Sequence, residues 1–145
     1  MIEVVDSNNL EEILPLIREY QEFYEIPDIS DINNREFFSL FCSGSPEGCQ
    51  FLFRFDGEVC GFSTVYFSYS STIAAKIGIL NDLYTRKIYR GKGIGKKLIL
   101  HTLDYSLQRG AKRLQWGTAT DNLVAQKLYD SLCSHKSDCL FYSLS

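Results

Sequence analysis

The run Arg90-Gly91-Lys92-Gly93-Ile94-Gly95-Lys96 concentrates the chemistry that this chain can offer a ligand. Glycines at alternate positions let the backbone turn tightly and come closer to a bound group than a side chain would permit. A helical pattern follows, with Leu98, Ile99, Leu103 and Leu107 on roughly one face. Amides without partners therefore gather at a helix N-terminus, a place suited to an anion and above all to phosphate. Arg90, Lys92 and Lys96 add charge of the matching sign. Two familiar phosphate loops are excluded by spacing. A dinucleotide fingerprint needs a third glycine where Lys96 stands, and a P-loop needs Lys-Ser/Thr after a longer gap. Downstream, Asn122 and Tyr129 are separated by about two helical turns, which puts both on one face. The cysteines (Cys42, Cys49, Cys60, Cys133, Cys139) are odd in number and form no Cys-x-x-Cys pair, and His101 and His135 stand alone. That argues against a metal site, a disulfide framework and a cysteine nucleophile.

These residues need elements to hold them. Before the glycine-rich run, residues 74–85 read as a strand ending in Asn81-Asp82-Leu83-Tyr84-Thr85. Residues 50–55 and 58–69 flank Asp56-Gly57, a hairpin signal, and Ser70-Ser71-Thr72 turns into the next strand. The N-terminal part predicts a strand over residues 2–5 and a helix after Ser7-Asn8-Asn9. Glu11 and Glu12 are placed for a capping box, and Pro27 is the stop. A second short helix is predicted over residues 33–42, presenting Phe37, Phe38 and Phe41. Beyond Gly110, a suitable helix stop, come a strand at 114–118, a helix at 122–132 and a final strand at 139–144. A strand, a helix and a strand around the glycine turn make a crossover unit with parallel neighbouring strands. The fold class is α/β with a mixed sheet, and residues 1–145 read as one domain.

Arg90-Gly91-Lys92-Gly93-Ile94-Gly95 after a strand, and Asn122, Ala125 and Tyr129 in an Asn-x-x-Ala-x-x-x-Tyr string, resemble the two signatures of the GCN5-related N-acetyltransferases. The element order resembles that family too, so the likeness spans nearly the whole chain and thins in the first 45 residues. The resemblance implies acetyl-coenzyme A as co-substrate, with no metal, and transfer of its acetyl group to a primary amine by direct attack. It implies that strands four and five splay, with pantetheine against Leu83, Tyr84 and Thr85 and pyrophosphate on Arg90, Gly91, Lys92, Gly93, Ile94, Gly95 and Lys96. Asn122 resembles the residue that holds pantetheine, and Tyr129 the general acid that protonates the leaving thiolate. Where relatives often carry a substrate-side Glu, this chain has Asn81, which cannot act as a base. The base is left open among Asp82, Glu22 or Glu25, and water. Cys133 stands where many relatives place a glycine.

Tyr66-Phe67-Ser68-Tyr69 followed by Asn81-Asp82-Leu83-Tyr84 resembles the polyamine and amino-acid acetyltransferase branch, which implies a small cationic acceptor near Tyr24, Glu25, Asn81 and Asp82. Tyr20 and Phe23, with Glu22, are either further pocket wall or core. The alternatives are a non-catalytic acyl-coenzyme A-binding module and an acetyltransferase acting on a protein amine. A net charge of −3 hides an uneven distribution, since residues 1–36 carry ten acids against Arg18 and Arg35. The remainder is correspondingly basic, so the split fits an anionic cofactor at one end and a cation at the other, or else a solvated acidic helix. No basic stripe interleaved with aromatics points to nucleic acid. No apolar run reaches membrane-spanning length and no signal-peptide pattern opens the chain, so no membrane partner is expected and the expected location is cytoplasmic. A homodimer is expected by resemblance alone.

Overall fold

The meander predicted in the middle of the chain forms, and it is built on its hairpin. Asp56 (φ 50°) and Gly57 (φ 78°) both adopt left-handed backbone. They make a two-residue turn whose twist matches the strands it joins, β2 (Gly48–Phe55) and β3 (Glu58–Ser70). β3 pairs antiparallel with β4 (Ala75–Thr85), and β1 (Ile2–Val4) pairs antiparallel with β2. The computed structural model describes residues 1–132 and 135–145. The sheet order is β1-β2-β3-β4-β5, with β5 (Leu114–Gln115) parallel to β4 after the crossover through α3 (Ile94–Gln108).

Helices cover both faces. On one, α1 (Leu10–Phe23) and α2 (Asp31–Phe38) enclose Ile13, Leu16, Ile17 and Phe38 against Leu52, Val59 and Phe62. On the other, Ile94 and Leu98 of α3 pack on Cys49, Phe51, Phe53, Cys60 and Val65. Chain order ends with α4 (Leu123–Ser131). No described helix is long and apolar enough to cross a membrane.

Several expectations are corrected. The capping box at α1 is not formed. Asn9 Oδ1 accepts the Asp6 amide (2.8 Å), while Asp6 Oδ1 accepts the Asn8 and Asn9 amides, so the turn closes on itself before the helix starts. Glu11 and Glu12 bind Arg35 and Arg54 instead. The second helix starts earlier, capped by Ser30 Oγ on the Asn33 amide, and ends in a 3-10 turn at Ser39–Phe41. In α3 the buried face includes Thr102 and Ser106, whereas Leu107 is exposed. Small hydroxyl residues are needed there because α3 presses on the strand. A Cβ on Gly78 would lie 2.8 Å from Ser106 Oγ. The final strand at 139–144 is not formed. The residues are irregular and Leu140, Phe141, Tyr142 and Leu144 are exposed. Periodicity alone cannot supply the neighbouring ladder that a strand requires. The residue at 133 lies outside the described residues.

Candidate active site

β4 and β5 pair at only two positions, Gly78 with Leu114 and Ile79 with Gln115. Beyond Ile79, β4 continues to Thr85 with β3 on one side, and β5 has ended. The strands therefore part, and residues 80–85 present one edge of backbone amides and carbonyls to the gap. Parting begins at an irregularity. Thr64 faces Asp82 and Val65 faces Leu80, so Asn81 is the extra residue of a bulge in β4.

The edge leads to the start of α3. Gly91 (φ 81°) and Gly93 (φ 79°) hold left-handed backbone, which a side chain would strain, and Gly93 is the N-cap residue. The Lys97 amide donates to Gly93 C=O at 3.1 Å, so the amides before it have no acceptor within the helix. Gly95 serves packing. A Cβ there would stand 3.2 Å from Leu128 Cδ2, so glycine lets α4 close on the loop.

The basic residues divide. Arg90 Nε donates to Thr85 C=O at 2.9 Å and its guanidinium lies over the Tyr84 ring, so it ties the loop back onto β4. Lys92 stacks on Phe55 of the hairpin, while Lys96 is exposed beside the unbonded amides. Of the strand residues, Leu83 packs toward α3 and Tyr84 toward α1, and Tyr84 Oη donates to Glu19 (3.4 Å). Thr85 is half-buried at the strand's end. Asn122 is the N-cap of α4, its Oδ1 accepting the Ala125 amide at 3.2 Å, so that oxygen already has a structural duty.

Tyr129 is brought to the same region from α4. Its ring meets Trp116 edge-on, 5.4 Å between centroids, and the side chain is half-buried. Burial first, then the neighbouring Tyr24, push its pKa above the ordinary value, so the phenol keeps its proton at neutral pH. Tyr24 closes α1 and is half-exposed, with its ring on Tyr20 at 5.0 Å. Tyr20 also touches Phe62 and Tyr84, so it belongs to the core edge and to the site at once. Its Oη donates to Asn81 C=O at 3.4 Å. Phe23 is exposed instead of buried. Glu25 lies past the helix in left-handed backbone (φ 56°), exposed.

Asp82 is the unusual member. It is only 6% exposed, and its Oδ2 is buried without a hydrogen bond, while Oδ1 accepts from Asn81 Nδ2 at 3.1 Å. Burial raises its pKa against the lowering influence of the Thr64 hydroxyl, the Tyr20 phenol and the Asn81 amide. Thr64, which no local pattern singles out, is fully buried opposite Asp82, and its Oγ1 also lacks a formed hydrogen bond. Strand register identifies it, because only the cross-strand pairing puts its hydroxyl beside the carboxyl. Tyr66, on the same face of β3, has its pKa raised by burial and by Asp82.

The acidic N-terminal segment is largely neutralised within the fold. Glu3 and Glu12 pair with Arg54, Glu11 with Arg35, Glu19 with Arg86, and Glu22 and Asp31 with Arg18. Among the described residues no group of three or more His, Cys, Asp or Glu comes together that could hold a metal ion.

The chain as a whole matches known proteins in sequence and shape. The model of the acetyltransferase (GNAT) family matches residues 11–133. An uncharacterised N-acetyltransferase, YhfO, of Bacillus subtilis is 36% identical over 118 residues, 81% of this chain and 78% of that one. The thialysine N-epsilon-acetyltransferase of Bos taurus is 29% identical over 149 residues, covering 91% of this chain and 82% of that protein. Among solved structures, a probable acetyltransferase superposes with a TM-score of 0.86 at 28% identity, over 100% of this chain and 97% of the other. An aminoglycoside N-acetyltransferase in complex with CoA shares the fold, with a TM-score of 0.86 at 16% identity, over 100% of this chain and 93% of that one. With the family model covering most of its length and these relatives agreeing on both sequence and fold, the chain belongs to the acetyltransferase (GNAT) family.

Proposed function

We propose that the protein transfers the acetyl group of acetyl-coenzyme A to a primary amine, by direct attack within a ternary complex. The observation that carries this reading is the continuous run of backbone from the open edge of β4 to the unbonded amides that open α3. Pantetheine carries two amides and would add to that edge as a peptide strand does, with its pyrophosphate on the amides of residues 91–96. Lys96 is the basic side chain best placed to add charge there, since Arg90 and Lys92 are engaged elsewhere. A backbone N–H of β4 would polarise the thioester carbonyl, and Tyr129 would give its proton to the departing sulfur.

The acceptor is a small cationic amine of the amino-acid or polyamine kind. Its pocket combines the rings of Tyr20, Tyr24 and Tyr66 with the buried Asp82 carboxyl, a setting that favours an ammonium group. Relatives acting on thialysine and on ornithine support the class. The test is calorimetric titration with acetyl-coenzyme A, followed by thiol release with thialysine, ornithine, lysine and spermidine. Binding with turnover on one of these is expected. Binding without turnover on any would overturn the acceptor class, and no binding would overturn the whole reading.

A further inference from the structure

We propose that an aromatic depression beside the acceptor site seats the second ammonium of a long diamine or polyamine, so that acceptors are chosen by length. The inference rests on the function proposed above. The depression has a volume of about 420 Å³, and Phe37, Phe41, Glu47, Tyr66, Tyr69 and Lys76 are among the residues that line it. Three of its rings form a continuous series. Phe37 meets Phe41 at 5.3 Å between centroids, and Phe41 meets Tyr66 at 4.7 Å. Tyr66 also lies within electrostatic reach of Asp82, so one residue borders both the acceptor site and the depression. Phe37 and Tyr69 are 44% and 78% exposed and belong to neither core, so the fold itself makes no use of this apolar surface.

Charge decides what fits there. Lys76 is engaged on the α3 side, its Nζ donating to Arg109 C=O at 3.0 Å and lying over the Phe67 ring. Glu47 is exposed and fixed beside β3 by its backbone. Its carbonyl accepts the Phe67 amide (2.8 Å), and its own amide donates to Ser45 Oγ (3.3 Å). Among the described residues no ion pair engages its carboxylate. Aromatic faces with a free carboxylate favour an ammonium group. The acceptor-side residues Tyr20, Tyr24, Tyr66 and Asp82 include no cation to receive the α-carboxylate of an amino acid.

Length follows from the strand. The bulge at Asn81, where the strands part, lies opposite Thr64 and Val65 of β3. Tyr66 and Tyr69 come two and five residues after Thr64, about 7 and 17 Å along β3 at the rise of a strand. An extended chain advances about 1.2 Å per bond, since a residue of three bonds spans roughly 3.5 Å. Ornithine and lysine, with five and six bonds between their nitrogens, therefore reach about 6–7 Å, only to the near rim. Spermidine and 1,8-diaminooctane, with nine bonds, reach about 11 Å and bring their far ammonium between Tyr66 and Tyr69.

The experiment measures kcat/KM at saturating acetyl-coenzyme A for α,ω-diamines of increasing length, with spermidine, ornithine and a lysine-containing peptide beside them. Between 1,4-diaminobutane and 1,8-diaminooctane kcat/KM should rise about tenfold, with spermidine matching the longer diamine and ornithine the shorter. Phe37 and Glu47 are exposed, so Phe37→Ala and Glu47→Gln leave the cores intact. Each should lower kcat/KM for spermidine about fivefold or more, while the value for 1,4-diaminobutane stays within about twofold. Affinity for acetyl-coenzyme A, measured calorimetrically, should not change. A profile that is flat or highest at four carbons would overturn the inference, as would equal losses on short and long amines. A preference for long chains that neither variant disturbs would overturn the assignment to this depression. Faster turnover of the peptide than of every diamine would overturn it too and give the depression to a peptide. If the unsubstituted protein turns over no amine of any length, the proposed function itself falls, a result distinct from these.

Discussion

Tyr129 and Asp82 are driven toward their neutral forms by the same cause, burial. For Tyr129 the raised pKa keeps the phenol protonated across the neutral range, as the proposed transfer to sulfur requires. Tyr129→Phe keeps the ring against Trp116 and removes the hydroxyl. Its kcat should drop by about 100-fold, with acetyl-coenzyme A binding nearly unchanged, as read by thiol release and calorimetry. For Asp82 the raised pKa has a cost in stability. A carboxyl whose folded pKa lies above its unfolded value binds more protons when folded, so stability is lost as pH rises from the unfolded value through the folded one. Asp82→Asn removes that loss. The variant should melt above the parent at pH 8, with the gap narrowing toward pH 4, in thermal denaturation followed by circular dichroism. A lower melting temperature at pH 8 would mean that the carboxylate is satisfied inside the chain.

At the scale of elements, one side chain joins three of them. Arg54 of β2 binds Glu3 of β1 (2.7 Å) and Glu12 of α1 (3.0 Å), and its side chain is about three-quarters covered. Arg54→Ala should destabilise by about 1–2 kcal/mol, measured by urea denaturation, a modest figure because Glu12 is half-exposed and solvent screens it. The Arg54 hydrogen bonds hold the carboxyls of Glu3 and Glu12 below the usual range. Folded values below the unfolded ones mean that this stability is present above about pH 4.5 and is lost as pH falls through the depressed values. The Ala variant should therefore lose its disadvantage in acid. Elements of this kind were only partly legible beforehand. Asp56-Gly57 announced its hairpin and the glycine run its helix start, because both are local demands on backbone conformation. The capping box failed because Glu11 and Glu12 found distant arginines that no local pattern reveals. Thr64 stayed hidden for the same reason, since its meaning comes from its partner across the sheet. Residues 139–144 carried strand-like periodicity, but the ladder that would have made them a strand depends on a neighbour that β5, two residues long, does not offer.

Across the whole molecule, the two helical layers grip one side of the sheet each, while the gap between β4 and β5 is left open by the sheet's own geometry. Ligand binding should therefore be felt locally and not as a rearrangement of the cores. Hydrogen exchange gives this a direct reading. With acetyl-coenzyme A bound, amides over residues 80–85 and 91–96 gain partners or lose solvent, and their exchange should slow by about tenfold or more at near-saturating ligand. Amides of β1 and β2, paired with each other and distant from the gap, should be slowed only insofar as they exchange through global unfolding. Binding raises the free energy of that unfolding by the logarithm of ligand over Kd, a uniform increment that can be subtracted. A footprint confined to the β4 edge and the α3 start would match a cofactor laid along the strand and ending on the helix. Protection spread evenly over the sheet would show stabilisation without contact at that edge, and protection centred on the aromatic depression of Phe37, Phe41 and Tyr69 would move the binding site away from it.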